Sequence, residues 1–415
     1  MSEAGPSFAV VTLGCKVNQV DGAAAAASLR ACGLVETSPE DADVVVVNTC
    51  TVTGEADRKA RKVVRRFARA GVPVVVTGCL VSVDPAAVSA LGESVVAEPD
   101  RSLVATRALE ALGREADPAA PSAPGAAVHA GTRAMVKVED GCDCRCAYCI
   151  VPTARGVPRS VPLGEVVAGV ERLVADGTPE VVLTGVNLGR YDDAGSDLAA
   201  LVTAVAATGV RRVRLSSIEV AHLTQRLLES LACVPGVCRH LHVPLQSGSD
   251  AVLSAMGRPY DAATFERAIA AARDALPGLA VTTDVIAGLP GETLADLDAT
   301  VALCERVGFA KTHVFPYSER PGTAAASMAG AVAPGERHRR AALLREVGER
   351  LRAAYLAGRI GGDADVLVER VEDGYALGTS EDYLKVRMPA RESRPGDVVR
   401  VRLSGSQGTF ALGEW

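Results

Sequence analysis

Three cysteines in one short segment carry the strongest chemical signal in this sequence. Cys142, Cys146 and Cys149 lie in EDGCDCRCAYCIVP with the spacing C-x3-C-x2-C. Three thiolates on one tight loop can hold three irons of a cubane cluster and leave the fourth iron open. Cys144 adds a fourth thiol to the loop, so a structural zinc ion, which prefers four closed ligands, is an alternative reading. The segment predicts a metal centre and favours an iron–sulfur cluster.

Three further cysteines each follow a predicted strand in the first part of the chain. Cys15 lies in TLGCKVNQ, Cys50 in VNTCTVTG and Cys79 in VTGCL. A single cysteine at a strand end is usually a small buried hydrophobic residue. The carboxyl ends of parallel strands, however, open onto one crevice. Three cysteines at equivalent places therefore predict a second set of converging thiols.

The alternation of apolar and helical segments indicates which elements position these thiols. Apolar β-branched runs alternate with helical stretches over 1–112, which predicts a parallel α/β domain. Residues 113–131 are rich in Ala, Pro and Gly and predict a linker. The alternation resumes over 132–357 and predicts a complete or partial (β/α) barrel. Short alternating segments over 361–415 predict a small β-barrel. The strand candidates of the larger barrel are 134–138, 180–184, 212–217, 239–244, 280–286 and 311–315.

Composition and charge limit the classes of protein that fit. The chain has 415 residues, 48% hydrophobic and 23% charged, which excludes a largely disordered or disulfide-stapled protein. Its net charge of −6 argues against a globally basic nucleic-acid binder, although a local patch can still bind phosphates. No apolar run approaches the roughly 20 residues that span a membrane, and the start resembles no secretory leader. We therefore expect a cytoplasmic protein whose cysteines serve metal binding or catalysis.

A dense basic segment stands out between residues 58 and 69. Arg58, Lys62, Arg65 and Arg69 fall on one face of the helix that this segment predicts. A solvated helix surface is the simpler interpretation of such a stripe. Phosphate binding is the alternative that a nearby RNA-modifying site would favour.

The loop motif, with Tyr148 before its last cysteine, resembles the signature of radical S-adenosylmethionine (SAM) enzymes. It also lies where that superfamily has it, after the first barrel strand. The resemblance implies that the open iron binds the amino and carboxylate groups of SAM. It further implies that an electron from the cluster cleaves the sulfonium to a 5′-deoxyadenosyl radical, which the protein positions and shields.

Both cysteine sets together resemble one branch of the superfamily, the methylthiotransferases, over nearly the whole chain. The resemblance implies an amino-terminal domain with an auxiliary 4Fe–4S cluster, a radical SAM domain with a second 4Fe–4S cluster, and a carboxy-terminal TRAM domain. It assigns Cys15, Cys50 and Cys79 to the auxiliary cluster, and Cys142, Cys146 and Cys149 to the radical-generating cluster. No catalytic side chain beyond these thiols is predicted.

Segments at further strand ends resemble the SAM-binding motifs of the superfamily. They are LTGVN at 183–187, LQSGSD at 245–250 and DVIAGLPGET at 284–293, with SSIE at 216–219 as another candidate. Small residues there allow the backbone to approach a ligand closely, although ordinary turn glycines are an alternative. The predicted SAM contacts are Tyr148, Thr184, Gly185, Asn187, Glu219, Gln246, Ser247, Ile286 and Gly288.

Local sequence also bears on the substrate. LGCKVNQ, RLSSIE at 214–219, HLHVPLQSGSD at 240–250 and HVFPYSERPGT at 313–323 most resemble the branch that acts on threonylcarbamoyladenosine in tRNA. The resemblance implies conversion of N6-threonylcarbamoyladenosine at position 37 to its 2-methylthio form with two SAM molecules. One SAM methylates a sulfur of the auxiliary cluster, and the other yields the radical that removes hydrogen from C2. The alternatives are thiolation of a ribosomal-protein aspartate or of isopentenyladenosine in tRNA, and, without catalysis, a zinc-bearing RNA-binding protein.

Remaining expectations concern substrate contacts and partners. Arg155 and Arg159 follow the cluster loop, and guanidinium groups suit phosphate or carboxylate, so we expect them to contact the substrate, with a solvated surface pair as the alternative. Tyr383 of the small barrel could stack on a base or fill the barrel. The tRNA anticodon loop and an electron donor such as flavodoxin or ferredoxin are the implied partners. We expect a monomer that contacts no membrane.

Overall fold

A parallel five-stranded sheet forms the first part of the computed structural model, which describes residues 5–115 and 127–415. The predicted linker 113–131 thus falls partly, at 116–126, outside the described residues. The strands are β1 (Ser7–Thr12), β2 (Val35–Glu36), β3 (Val44–Thr49), β4 (Val74–Gly78) and β5 (Val95–Ala97), in the order β2-β1-β3-β4-β5. Every residue of β3 is buried, because this apolar run is covered on both faces.

Helices pack on both faces of this sheet. They are α1 (Lys16–Ala31), α2 (Gly54–Arg69), α3 (Cys79–Val83), α4 (Pro85–Ser89) and α5 (Val104–Ala111). α1 and α5 share one apolar core with the sheet, and α2 and α4 share another. The predicted parallel α/β architecture is confirmed. Because β1, β3 and β4 are parallel neighbours, the loops that follow them meet at one edge of the sheet.

The next described segment contains eleven strands. The first of them, β6 (Ala127–Ala130), pairs antiparallel with the strand that follows it. The others are β7 (Arg133–Lys137), β8 (Glu139–Asp140), β9 (Arg159–Ser160), β10 (Glu180–Thr184), β11 (Asp192–Asp193), β12 (Ser196–Asp197), β13 (Arg212–Leu215), β14 (His240–His242), β15 (Ala280–Ala287) and β16 (Lys311–Pro316). The six predicted strands are present as β7, β10, β13, β14, β15 and β16. They form two parallel sheets joined by a bridge between Ser217 and His242, which is the predicted partial barrel.

Helices cover the outside of this partial barrel. They are α6 (Val151–Arg155), α7 (Leu163–Ala175), α8 (Leu198–Ala207), α9 (Gln225–Cys233), α10 (Asp250–Ala255), α11 (Ala262–Ala275), α12 (Leu294–Val307) and α13 (Pro334–Arg359). Alternate strand residues such as Val136 and Leu183 join the helices in one large core. The opposite strand face, including Met135 and Val182, therefore points to the barrel interior. In the described part of the chain no helix is both long and apolar enough to span a membrane.

A small closed barrel ends the chain, as predicted. Its strands are β17 (Asp363–Glu372), β18 (Tyr375–Ser380), β19 (Lys385–Pro389), β20 (Val398–Gln407) and β21 (Phe410–Glu414). The loop after β18 docks onto the larger barrel: Arg214 donates to the carbonyl oxygens of Ser380 at 3.0 Å and Glu381 at 3.2 Å. Tyr383 in this loop stacks on His240 with ring centroids 4.6 Å apart. It neither fills the small barrel nor remains free for a base.

Candidate active site

Two glycines bring the thiols of the first segment together. Gly14, before Cys15, has φ +104°, and a Cβ there would lie 2.5 Å from Cβ and 2.9 Å from Sγ of Cys50. Gly78, before Cys79, has φ +93°, and a Cβ there would lie 2.5 Å from the last carbonyl oxygen of β3. Only glycine combines these backbone angles with such close approach. The loops after β1, β3 and β4 are thereby packed against one another.

Asn18 connects these loops to the rest of the site. Its Nδ2 donates at 2.8 Å to the carbonyl oxygens of both Leu13 and Thr49, which ties the end of β1 to the end of β3. Its Oδ1 lies 3.9 Å from Sγ of Cys79 and accepts a hydrogen bond from Arg155 of α6. Asn18 is fully buried, so this one side chain fixes two strand ends and contacts the other domain.

The three thiols influence one another electrostatically. Burial raises the pKa of Cys50 to about 11, and the neighbouring Cys15 and Cys79 add to the increase, while the backbone N–H of Val52 and the charge of Arg155 oppose it. Three thiolates close together are costly without a compensating positive charge. A metal cluster supplies that charge and deprotonates its thiol ligands. The donor set fits the auxiliary cluster that the sequence predicts.

The second thiol loop runs from β8 to α6 and is held mainly by its backbone. A Cβ at Gly141 would lie 2.1 Å from the carbonyl oxygen of Val157, so no side chain fits where the loop begins. The N–H of Cys142 donates to Gly156 at 2.9 Å. At the far side, the N–H of Ala147 donates to Met256 at 2.9 Å. These bonds hold the loop at the carboxyl end of the barrel strands, where such sites form.

Side chains from other strand ends contact the loop thiols. Nδ2 of Asn187 lies 3.5 Å from Sγ of Cys144. Arg258 donates to Sγ of Cys146 at 3.4 Å and forms an ion pair with Glu219. Hydrogen-bond donors to cluster sulfurs stabilise the negative charge of thiolate ligands and tune a cluster's potential.

Cys144 lies next to Cys142 within the loop. Its backbone N–H donates to Sγ of Cys142 at 3.4 Å, and the hydrogen bond from its thiol is the main cause that lowers the pKa of Cys142. The spacing favours Cys142 as the cluster ligand. Both thiols remain within reach of Asn187.

A pocket of about 200 Å³ is lined by residues from the segments of both thiol sets. Val52 and Thr53, which follow Cys50, line one side, and the segment from Tyr148 to Ile150 around Cys149 lines another. The remaining lining residues are Gln246, Asp284, Ile286, Phe315, Pro316, Tyr317 and Ser318. Gln246 has φ +68°, which is uncommon for a residue with a side chain and frequent at functional sites. The pocket therefore borders the second thiol set at Cys149 and the segment that follows Cys50 of the first set.

The predicted SAM contacts divide into three groups. Tyr148, Gln246 and Ile286 line the pocket, whereas Asn187 and Glu219 surround the loop thiols as described. The others engage structural partners: Ser247 is within 3.2 Å of Thr300, and a Cβ at Gly288 would collide with Arg337 of α13. Thr184 is buried at the end of β10, and Gly185 packs against Glu139. Their SAM contacts stay predictions.

The two arginines predicted to contact substrate have different environments. Arg155 is 5% exposed and donates to Asp21 at 3.0 Å and to Asp140 at 2.8 Å. It therefore bridges α1 and the cluster loop, and its guanidinium is already engaged. Arg159 is exposed, and its contact with substrate stays a prediction.

Several residues of the site were not predicted from the sequence. Asn18 and Asp21 lie at i+3 and i+6 from Cys15, and polar residues at that spacing in an otherwise apolar helix face were a usable signal. Glu139 is fully buried, accepts the N–H of Asn187 at 2.7 Å, and its Oε1 has no partner among the described residues. No sequence motif around Glu139 or Arg258 indicated that these residues belong to the site.

The thiols of the described residues do not form a site for a single metal ion. Across residues 5–115 and 127–415, no three or more His, Cys, Asp and Glu side chains form a group that could hold one metal ion. In a cubane each thiolate binds a different iron. Thiols that serve a cluster therefore need not converge on one point.

Two family profiles match this chain. The Radical SAM superfamily matches residues 136–304, which include the second thiol loop and four of the barrel strands that follow it. The Uncharacterized protein family UPF0004 matches residues 7–97, which include the first thiol set.

Relatives match over nearly the full chain. The threonylcarbamoyladenosine tRNA methylthiotransferase MtaB of Thermotoga maritima is 34% identical, over 97% of this chain and 96% of its own. The protein of the same name from Bacillus subtilis is 35% identical, over 94% and 92%. The tRNA-2-methylthio-N(6)-dimethylallyladenosine synthase of Sorangium cellulosum is 37% identical, over 88% and 82%.

Solved structures share the fold at low identity. The radical S-adenosylmethionine methyltransferase TsrM of Kitasatospora setae superposes with a TM-score of 0.55 at 16% identity, over 75% of each chain. The S-adenosylmethionine radical enzyme OxsB superposes with a TM-score of 0.53 at 10% identity, over 83% of this chain and 56% of its own. This similarity concerns the architecture alone.

Proposed function

This chain belongs to the family of radical SAM methylthiotransferases, and from that membership we propose that it converts N6-threonylcarbamoyladenosine at position 37 of tRNA to its 2-methylthio form. The observation that carries the proposal is the pocket lined by residues from the segments of both thiol sets. A reaction that both removes a hydrogen atom and delivers a sulfur needs one substrate atom within reach of two centres.

The two cofactor types fit the residues around this pocket. Cys142, Cys146 and Cys149 would hold the radical-generating 4Fe–4S cluster, and the auxiliary 4Fe–4S cluster would be held by Cys15, Cys50 and Cys79. When bound, these groups supply the electron that cleaves SAM and the sulfur that is methylated and transferred. The unpaired Oε1 of buried Glu139 beside Asn187 suits the ammonium group of SAM.

The chain's own residues orient the reactants and exclude water. Tyr148, Gln246 and Ile286 would contact SAM from three sides of the pocket. Phe315 lines the same pocket and is 43% exposed, so the substrate adenine of the tRNA would stack on its aromatic face. Because position 37 lies in a loop, moving the base into the pocket costs little.

The choice of base modification rests on the sequence segments and on the relatives named for threonylcarbamoyladenosine. A second candidate is dimethylallyladenosine, because the Sorangium cellulosum synthase is as similar. We keep the threonylcarbamoyl substrate as the proposal, since two relatives that match over 97% and 94% of this chain are named for it.

Partners and organisation complete the proposal. The segments 1–112, 132–357 and 361–415 would act as the auxiliary-cluster, radical and RNA-binding domains. The exposed cations of α2, which begins beside the pocket, would bind phosphates of the anticodon stem. A flavodoxin or ferredoxin would supply electrons to a monomeric enzyme in the cytoplasm.

The experiment uses the anaerobically reconstituted enzyme, SAM and a reductant with two anticodon stem-loops, one carrying threonylcarbamoyladenosine and one carrying dimethylallyladenosine at position 37. Mass spectrometry of the digested nucleosides should show the methylthio product from the first RNA only. If only the second RNA gave a product, the substrate would be dimethylallyladenosine and not threonylcarbamoyladenosine. No product from either, with both clusters loaded, would refute it.

A further inference from the structure

Lys16 is an unpaired cation next to the first thiol set. It directly follows Cys15 and is the first residue of α1. Its side chain is exposed, and within the described residues its ammonium forms no hydrogen bond or ion pair. The neighbouring cations differ: Lys137 pairs with Asp21 and Asp140, and Arg155 pairs with the same two carboxylates.

The side chain of Lys16 faces the interior of the partial barrel. Lys16 and Val20 are four residues apart and share one face of α1. Val20 packs on Met135 and Val182, which point into the barrel. Burial would raise the pKa of Tyr383, at the far end of the interior, but the charge of Lys16 is the largest of several that lower it.

A polar path connects Lys16 with the pocket. Asp284 lines the pocket and lies 3.3 Å from Nε2 of His242. The ring of His242 lies 5.8 Å from that of His313. Burial first, and then the charges of Lys311, His242 and Lys16, lower the pKa of His313, while Asp284 opposes them. A group that enters the barrel from the pocket past Asp284 would thus approach the charge of Lys16.

The chemistry of the substrate requires a recognition site for the threonyl group near the auxiliary thiols. In adenine, N1 alone separates C2 from C6, so the substituent on N6 lies on the same edge of the base as C2. When C2 faces the sulfur donor, the threonyl group must therefore lie close to the auxiliary thiols. Its carboxylate needs a cationic or hydrogen-bonding partner once it leaves water.

We propose that Lys16 binds the threonyl carboxylate and thereby selects the carbamoylated base over bases with a neutral substituent on N6. The inference rests on the proposed function, which supplies the carboxylate. Arg155, Lys137 and Arg101, which also neighbour the first thiol set, each form an ion pair with Asp21, whereas Lys16 forms none among the described residues.

The test compares Lys16→Met, Lys16→Arg and Lys59→Met in the full-length reconstituted enzyme. Lys59 is an exposed lysine of α2 in the same domain, and its replacement is the matched control for a general loss of positive charge. Equilibrium binding is measured with two anticodon stem-loops that differ only in having threonylcarbamoyladenosine or adenosine at position 37. Iron per chain is determined for each variant, because Lys16 adjoins a thiol that would ligate the cluster.

Lys16→Met should weaken binding of the carbamoylated RNA by about ten- to a hundredfold, the range for a lost hydrogen bond to a charged group, and leave the unmodified RNA unaffected. Lys16→Arg should restore most of the preference, and Lys59→Met should not alter it. Equal weakening of both RNAs, or no weakening, at normal iron content would overturn the role of Lys16. A wild-type enzyme that neither prefers nor thiolates the carbamoylated RNA would instead refute the proposed function.

Discussion

Arg155 shows how one residue organises both halves of the site. Its guanidinium lies between Asp21 of α1 and Asp140 of the cluster loop, and it is almost completely buried. Its removal would take one buried counter-charge from each carboxylate, leaving Lys137 as the shared cation, and would take the guanidinium donor from the buried Asn18. Such a loss costs more than the net contribution of the intact pair.

Arg155→Ala should therefore lower the free energy of unfolding by about 3–5 kcal/mol, the range for breaking a buried ion pair. Arg159→Ala, four residues on but exposed, should change it by less than about 0.5 kcal/mol. Chemical denaturation of both apoproteins measures the difference. Equal stability of the two variants would show that the buried bridge does not join the domains.

Gly78 provides a second test at the residue scale. In Gly78→Ala the added Cβ would collide with the end of β3 beside Cys79, so the auxiliary thiols can no longer converge. Reconstituted protein should hold about four irons per chain instead of about eight, and it should still cleave SAM at the remaining cluster. Gly71→Ala is the control, because Gly71 also has a positive φ, +77°, but open space around it. A full iron content in Gly78→Ala would contradict the assignment of Cys15, Cys50 and Cys79.

Among the elements, helix α2 begins at the pocket and carries basic side chains on its outer face. Thr53 caps the helix and lines the pocket, and Ser318 of the barrel accepts the N–H of Gly54 at 2.8 Å. Arg58, Lys62, Arg65 and Arg69 are all exposed along its length. The helix therefore carries a row of exposed cations away from the pocket.

Replacing Arg65 and Arg69 by Gln should weaken tRNA binding equally with modified and unmodified A37 and reduce the slope of log K against log salt by about 2. Arg66→Gln is the matched control, because its guanidinium is engaged by Glu40 at 2.7 Å. Filter binding over a range of salt concentrations measures the slopes. An unchanged slope would make the stripe an ordinary solvated face.

The sequence predicted the secondary-structure elements, but it gave little information about contacts between residues that are far apart in the chain. All six barrel strands were predictable, because each is a short segment with apolar residues between helical patterns, although strands such as His240–His242 are not continuous apolar runs. The thiol loop was predictable because its ligands are close in sequence. The bridge from Arg155 to Asp21 spans 134 residues, and no local pattern announces such a contact. The position of Tyr383 was equally hidden, since its partner His240 belongs to another domain.

For the whole molecule, one aromatic side chain contributes to docking of the small barrel onto the larger one, together with arginines of the larger barrel. Tyr383 stacks on His240, and the guanidinium of Arg214 lies 4.7 Å from its ring centroid. The ring therefore closes the end of the barrel interior opposite the pocket. This contact couples the small barrel to the partial barrel.

Tyr383→Ala should loosen this docking without unfolding either barrel. We expect calorimetry to separate one transition into two and limited proteolysis to cut near Ile360, between α13 and β17. Tyr375→Ala is a suitable control, because Tyr375 is an exposed tyrosine on the outer surface of the same barrel. A single unchanged transition in Tyr383→Ala would show that other contacts suffice.

The most direct test of the central claim is mass spectrometry of nucleosides from total tRNA of the source organism with and without this gene. The account predicts that 2-methylthio-N6-threonylcarbamoyladenosine disappears when the gene is deleted, that its unthiolated precursor increases, and that the wild-type gene restores both. Persistence of the methylthio nucleoside at its normal level would contradict the account.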